Sequence, residues 1–310
     1  MDLHDRVNQR LKLRDLRLLL SVAQWGSMAK AAAQLNLTQS GVSRAIAEME
    51  HTLGVRLFDR TPQGVEPTLY GHALRKWGNA IFDDLRQGVK EIEFLADPGA
   101  GELRIGCAEP MLSGLLPAIL GPICRHYPRI DFHVTALSTV PQQYRELRER
   151  NVDLILGRMV QPLDEDLEAQ ILFEERTFVV AGLQNPWGRR RKIELSDLID
   201  EPWIFPSPTS VVSSLIMNAF RRMKLNVPRR VLTSTSIQLQ AAMLEAGPFL
   251  ALFPGSLLRF GAKRFAVKVL PVKLPIEPWP VGIATLRNRT LSPVTHLFIE
   301  SARKAAKPLA

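Results

Sequence analysis

Apolar residues recur at helical spacing three times within the first hundred residues. Leu16, Leu19 and Leu20 mark one side of a helix from Leu13 to Trp25. Val42, Ile46, Met49 and Leu53, at i, i+4, i+7 and i+11, mark a second. Tyr70, Leu74, Trp77, Ile81, Leu85, Val89 and Ile92 run along a third, much longer one. Between the first two lies an Ala-rich helical stretch with the spacing of a helix-turn-helix. Ala32 is small enough for close crossing, Asn36 tolerates the left-handed turn, and Val42 anchors the following helix. Ser27 and Thr38 are placed to cap the two helices. An Ala-rich hairpin in an ordinary core would share these apolar positions. Its outward face would not need Gln39, Ser40, Ser43 and Arg44, the hydroxyl, amide and guanidinium donors that reach base edges and phosphates.

Beyond Leu53 the pattern shortens. Leu57-Phe58 leads into a stretch with Pro62-Gln63-Gly64 at its centre, a turn signal that predicts a small hairpin wing with Arg60 toward a phosphate backbone. Thr68 then caps the long helix, which runs to about Leu95 and spans about 40 Å. That is more than the small module before it needs. The stripe is nearly coiled-coil in period, and it either packs on its own domain or pairs with a second copy; pairing is expected, because the neighbouring module is complete without it. Asp97-Pro98-Gly99-Ala100-Gly101 ends the helix, and short apolar strands (Leu103–Cys107, Phe132–Ala136, Asp153–Gly157, Phe249–Phe253) alternate with helical patterns from there on, an α/β texture.

With 46% hydrophobic residues in 310, the chain can bury sizeable cores in two or three domains. The formal charge of +9 suits a polyanion partner, although residues 6–65 carry only a net +5. The Arg189-Arg190-Arg191-Lys192 run reads as a solvated loop. A charged N-terminus without an apolar core predicts no signal peptide, and no apolar run reaches membrane length, so a cytoplasmic protein is expected. Cys107 and Cys124 sit in apolar stretches that predict inert burial. The six histidines are scattered, and there is no phosphate loop or nucleophile elbow. No enzyme, metal or cofactor is expected.

Residues 13–71, with AAAQLNLTQSGVSRAI and LGVRLFDR, strongly resemble the LysR-type bacterial transcriptional regulators. The likeness continues more weakly through RNVDLILGR and EAGPFLALFP, and Gly41 stands where that family often has proline or alanine. The resemblance implies an N-terminal all-α winged helix-turn-helix with a long linker helix, then a two-lobed α/β domain similar to periplasmic binding proteins. The expected boundaries are 1–67 for the DNA-binding domain, 68–96 for the linker and 101–310 for the effector domain. Lobe one is expected at about 101–162 and 269–310, lobe two at 163–268, with crossings near Arg158–Gln161 and Val267–Leu270. The implied partners are double-stranded DNA carrying an interrupted palindrome, a small-molecule effector, and a second copy through 68–95, with a tetramer beyond that. RNA polymerase is added if the protein activates. Ser27, Lys30 and Arg60 are expected on phosphates, with Thr38 at the same helix start and Gln39, Ser40, Ser43 and Arg44 at base edges.

In such a fold, ligands sit where strands end and helices begin, facing unpaired backbone N–H groups. Four joints are legible: Glu109 to Met111, Ser138-Thr139, Ser207 with Thr209 and Ser210, and Thr235. Any single hydroxyl there can simply cap its helix. A cleft-facing Glu109 accepts hydrogen bonds and repels carboxylates, which favours a neutral polyhydroxylated effector such as a sugar. Arg158 pulls the other way, toward an organic or aromatic acid held bidentately; alternatively it pairs with Glu109. A transporter's solute-binding protein shares the two-lobed fold, but residues 1–95 and the missing export signal argue against it.

Overall fold

A computed structural model describes residue 7 and residues 10–208, 211–228, 230–261 and 264–309. The chain divides into two compact units, one up to Gly88 and one from Val89 on. In the first, helices α1 (Leu13–Trp25), α2 (Met28–Gln34) and α3 (Gln39–Leu53) enclose a core of Leu19, Val22, Ala31, Ala32, Val42, Ile46 and Met49. Asn36 takes a left-handed φ of 54° in the turn, and Ser27 and Thr38 accept hydrogen bonds from Lys30 N and Gly41 N at 3.4 and 3.1 Å. Strands β1 (Phe58–Thr61) and β2 (Gly64–Pro67) form an antiparallel wing. Gly64 has φ 144°, and a Cβ there would stand 2.1 Å from the Gly26 carbonyl oxygen. Only glycine lets the wing lie this close to the end of α1. Glu50 braces the wing, its Oε1 accepting from Leu57 N at 2.7 Å and Phe58 N at 3.3 Å.

Helix α4 (Leu69–Ala96) begins where Thr68 accepts from Gly71 N at 3.1 Å, and it continues through Gly88. Leu74 packs on the core just described, whereas Tyr70, Trp77, Ile81, Leu85, Val89 and Ile92 are exposed.

The second unit opens with β3 (Ala100–Cys107), α5 (Glu109–Ser113), α6 (Leu115–His126), β4 (Arg129–Ala136) and α7 (Val140–Arg148). There follow β5 (Leu154–Arg158), β6 (Leu167–Glu175), β7 (Thr177–Gly182), β8 (Trp203–Phe205), α8 (Val211–Arg222) and β9 (Arg230–Thr233). The chain ends with α9 (Ile237–Ala246), β10 (Leu250–Pro254), α10 (Gly255–Gly261), β11 (Val267–Val269), β12 (Trp279–Leu286) and α11 (Pro293–Ala306). One sheet has the order β4-β3-β5-β12-β6 and the other β11-β7-β10-β8-β9, each with an apolar core on both faces. Trp203 and Phe205, stacked at 5.5 Å and fully buried, centre one of these cores. Burial of such a side chain contributes roughly 1.5–3 kcal/mol.

The lobes divide later than the sequence suggested. β6 pairs with β12 from Leu167↔Leu286 to Glu175↔Trp279, so residues 167–175 belong to the first lobe and the chain crosses at Arg176. It crosses back between β11 and β12, over 270–278. An antiparallel strand with alternating exposure reads the same whichever sheet it joins, and only the distant β12 decides. Cys124 is a second correction. It is exposed, because α6 buries Leu115, Leu116, Ile119 and Ile123, which turns position 124 outward. Cys107 is buried, and burial together with the charge of Glu109 pushes its thiol up to about 12. Among the described residues no helix is long and apolar enough to cross a membrane.

Candidate functional site

Two regions gather the chemistry expected from the sequence. The first is the surface of α3. Its Val42–Ile46–Met49 face is buried, so the opposite face is obliged to point outward. A groove of about 410 Å³ between α3 and the wing brings together Ser27, Gln39, Ser43 and Arg60, four of the expected contact residues. Arg44 falls outside it. It lies on the other flank, in a groove of about 630 Å³ with Arg10, Lys12 and His51, and its Nε donates to Glu48 Oε1 at 3.1 Å. Lys30, Thr38 and Ser40 are exposed and line neither groove; the Ser40 hydroxyl donates to Thr38 Oγ1 at 3.3 Å.

The second region is a cavity of about 180 Å³ where the strand ends of the two lobes meet. Glu109, Ser138 and Trp279 reach it from the first lobe, and Thr177, Thr235 and Gln240 from the second. Apolar side chains such as Val212, Ile237 and Leu252 complete the wall. Of the residues expected here, Glu109, Ser138 and Thr235 line the cavity. Met111 does not; it is 5% exposed in the core behind α5. Thr139 is spent on capping α7, accepting from Gln142 N at 3.3 Å. Ser207 is half-buried outside the lining, and Thr209 and Ser210 lie outside the described residues. Arg158 stands behind the wall, its guanidinium carbon 5.0 Å from the centroid of the Trp279 ring. Its Nε and Nη1 are buried without a hydrogen bond, and burial pushes its pKa down. No ion pair joins it to Glu109.

Residues 13–72 match the family model of the bacterial regulatory helix-turn-helix protein, lysR family, and residues 96–307 match that of the LysR substrate binding domain. The chain belongs to the LysR family. It is a DNA-binding transcriptional regulator with a domain for an effector, and its relatives are regulators, not enzymes. The HTH-type transcriptional regulator GbpR of Azospirillum brasilense is 26% identical over 299 residues, covering 96% of this chain and 87% of that one. Full-length OxyR from Pseudomonas aeruginosa, in a cysteine-to-aspartate variant, shares the fold with a TM-score of 0.68 at 20% identity, over 97% and 98% of the two chains. Full-length CbnR in complex with its target DNA does so with a TM-score of 0.63 at 20% identity, over 95% and 100%.

For this LysR-family regulator, Thr177, Trp279 and Gln240 are among the cavity residues that the sequence does not single out. Thr177 and Trp279 stand at the two lobe crossings, so correct crossings would have pointed to them. Gln240 sits one turn into α9 and donates from Nε2 to Ser234 O at 2.9 Å, with no sequence signal beyond its distance from the cap. Glu175 also went unnoticed. It closes β6 and accepts from Ser256 N at 3.1 Å and from the Ser256 hydroxyl, tying the crossing to the start of α10. Burial raises its pKa, against the lowering effect of those hydrogen bonds.

Proposed function

We propose that this LysR-family regulator works as a dimer whose two α3 helices enter successive major grooves of an interrupted palindrome. Gln39, Ser40, Ser43 and Arg44 act at base edges, while Ser27, Lys30 and Arg60 set the register on phosphates. The convergence of Ser27, Gln39, Ser43 and Arg60 on one groove beside α3 is the observation that carries this reading. The exposed apolar residues of α4 support pairing through 68–95, and a dimer of dimers follows the family pattern. The cytoplasm, where DNA is available, is the expected compartment. RNA polymerase becomes a further partner where the protein activates. Footprinting of Arg44→Ala at matched salt tests the assignment: protection is lost or weakened if Arg44 reads the operator, and wild-type protection rejects the recognition-helix reading.

The effector, on this reading, is a small neutral molecule bearing hydroxyls, held in the cavity between the lobes. Among the described residues lining it, Glu109 is the one formal charge, set among the hydroxyls of Ser138, Thr177 and Thr235 and the amide of Gln240. Arg158, the cation a carboxylate would need, sits behind Trp279. A cavity of about 150 Å³ holds benzene, so this one takes a single ring. A calorimetric screen of sugars and organic acids checks the class. Tight binding of a carboxylate with none of the sugars rejects it and restores the acid reading through Arg158.

A further inference from the structure

Helix α3 is to meet a polyanion, yet it carries two carboxylates. One of them is committed to the fold, since Glu50 is the acceptor that braces the wing. Glu48 has no such duty. Its side chain is 69% exposed, one turn beyond Arg44 on the same row as Ser40, and close approach to phosphates costs it repulsion. Among the described residues its side chain meets one group, the Nε–H of Arg44. The other acidic residue in that groove, Asp15, already accepts from Lys12 N at 3.1 Å.

We propose that Glu48 is a positioning residue for DNA reading: by holding Arg44 Nε it presents the terminal Nη1 and Nη2 as a fixed fork to one base. The guanidinium has five donors in a rigid plane, and engaging Nε leaves the terminal pair, the pair that matches the O6 and N7 acceptors of guanine. A long flexible side chain otherwise loses its rotamer freedom at the moment of binding. The same carboxylate penalises duplexes that merely offer phosphates. Glu48 therefore trades overall affinity for discrimination. This rests on Arg44 being a base-reading residue.

The test uses the full-length protein. Duplexes randomised across one half-site are selected against wild type, Arg44→Ala, Glu48→Ala, Glu48→Gln and the Arg44→Ala/Glu48→Ala pair. Affinities for the selected operator and for a scrambled duplex are then measured at one salt concentration. Arg44→Ala is expected to erase preference at one base pair. Glu48→Ala should lower preference at that same pair roughly two- to tenfold, the equivalent of ordering one long side chain, while binding the scrambled duplex more tightly. Glu48→Gln removes the same charge and keeps an acceptor oxygen, so it should bind the scrambled duplex as tightly as Glu48→Ala and retain more of the preference. In the Arg44→Ala background, Glu48→Ala should change no preference. Equal loss in the alanine and glutamine variants, or no loss in either, overturns the positioning role and leaves Arg44 standing. Wild-type preference in Arg44→Ala removes the recognition reading and this inference together.

Discussion

Asp153 and Glu175 are both buried carboxylates, and their surroundings push them in opposite directions. Burial by itself raises the Asp153 pKa, but the Arg104 hydrogen bond at 2.6 Å and the charges of Arg289 and Lys90 outweigh it and hold the group well below the usual carboxylate range. Its folded pKa is depressed, so its stabilisation is complete above the ordinary value near 3.8 and fades as pH falls below it. Asp153→Asn removes the carboxylate that Arg104 and Arg289 share and is expected to cost about 3–5 kcal/mol at pH 7, with urea unfolding showing a much smaller difference from wild type near pH 2. Glu175 is the reverse case. Its raised folded pKa means that its contribution is present at low pH and lost as pH rises through the folded value. Glu175→Gln keeps a carbonyl oxygen for Ser256 N and removes the buried charge. The expected outcome is a gain in unfolding midpoint at pH 8 that shrinks at pH 4; a loss at pH 8 that shrinks at pH 4 would mean that the charge itself holds α10.

Helix α4 is the element whose exposed face asks for a partner. Trp77, Ile81 and Leu85 are exposed on a helix of 28 residues, a length that its own core does not require. Replacing Trp77 and Ile81 by Glu is expected to convert the dimer to monomer in sedimentation. Operator affinity should fall by roughly 10²-fold or more, as two linked heads become one. A double variant that stays dimeric would place the interface elsewhere. This helix was fully legible in the sequence, as was the helix-turn-helix, because period, caps and the Asn36 turn are all local signals. The sequence places β6 in the second lobe, whereas its pairing with β12, more than a hundred residues on, puts it in the first. The cavity was half legible for the same reason. Glu109, Ser138 and Thr235 stand at strand-to-helix joints that a sequence displays, whereas Thr177 and Trp279 enter it only once the crossings at Arg176 and 270–278 are fixed. Met111 and Thr139 stood at the right joints, but one faces the core and the other caps α7.

At the scale of the whole molecule, regulation requires that effector and operator affect each other, and Lys90 is a residue through which that coupling can be tested. It stands on α4 just beyond the break between the two units, with its ammonium 3.6 Å from Asp153 Oδ2, 3.8 Å from Glu102 Oε1 and 3.4 Å from the Glu102 carbonyl oxygen. The end of α4 is thus pinned to the sheet whose strand ends supply Glu109 and Trp279 to the cavity. Lys90→Met removes the pin and keeps the length of the side chain, while Asp153 retains Arg104 and Arg289. Coupling is reciprocal: if the effector changes operator affinity by some factor, the operator changes effector affinity by the same factor. In wild type that factor is expected at roughly 5–150-fold, the usual range for linked sites. In Lys90→Met it should move toward one in both directions, with effector affinity measured on the free protein unchanged. Calorimetry with and without operator duplex, paired with gel shifts with and without effector, measures both halves of the cycle. A variant that keeps the full factor shows that the signal leaves the effector domain by a route other than the Lys90 contact.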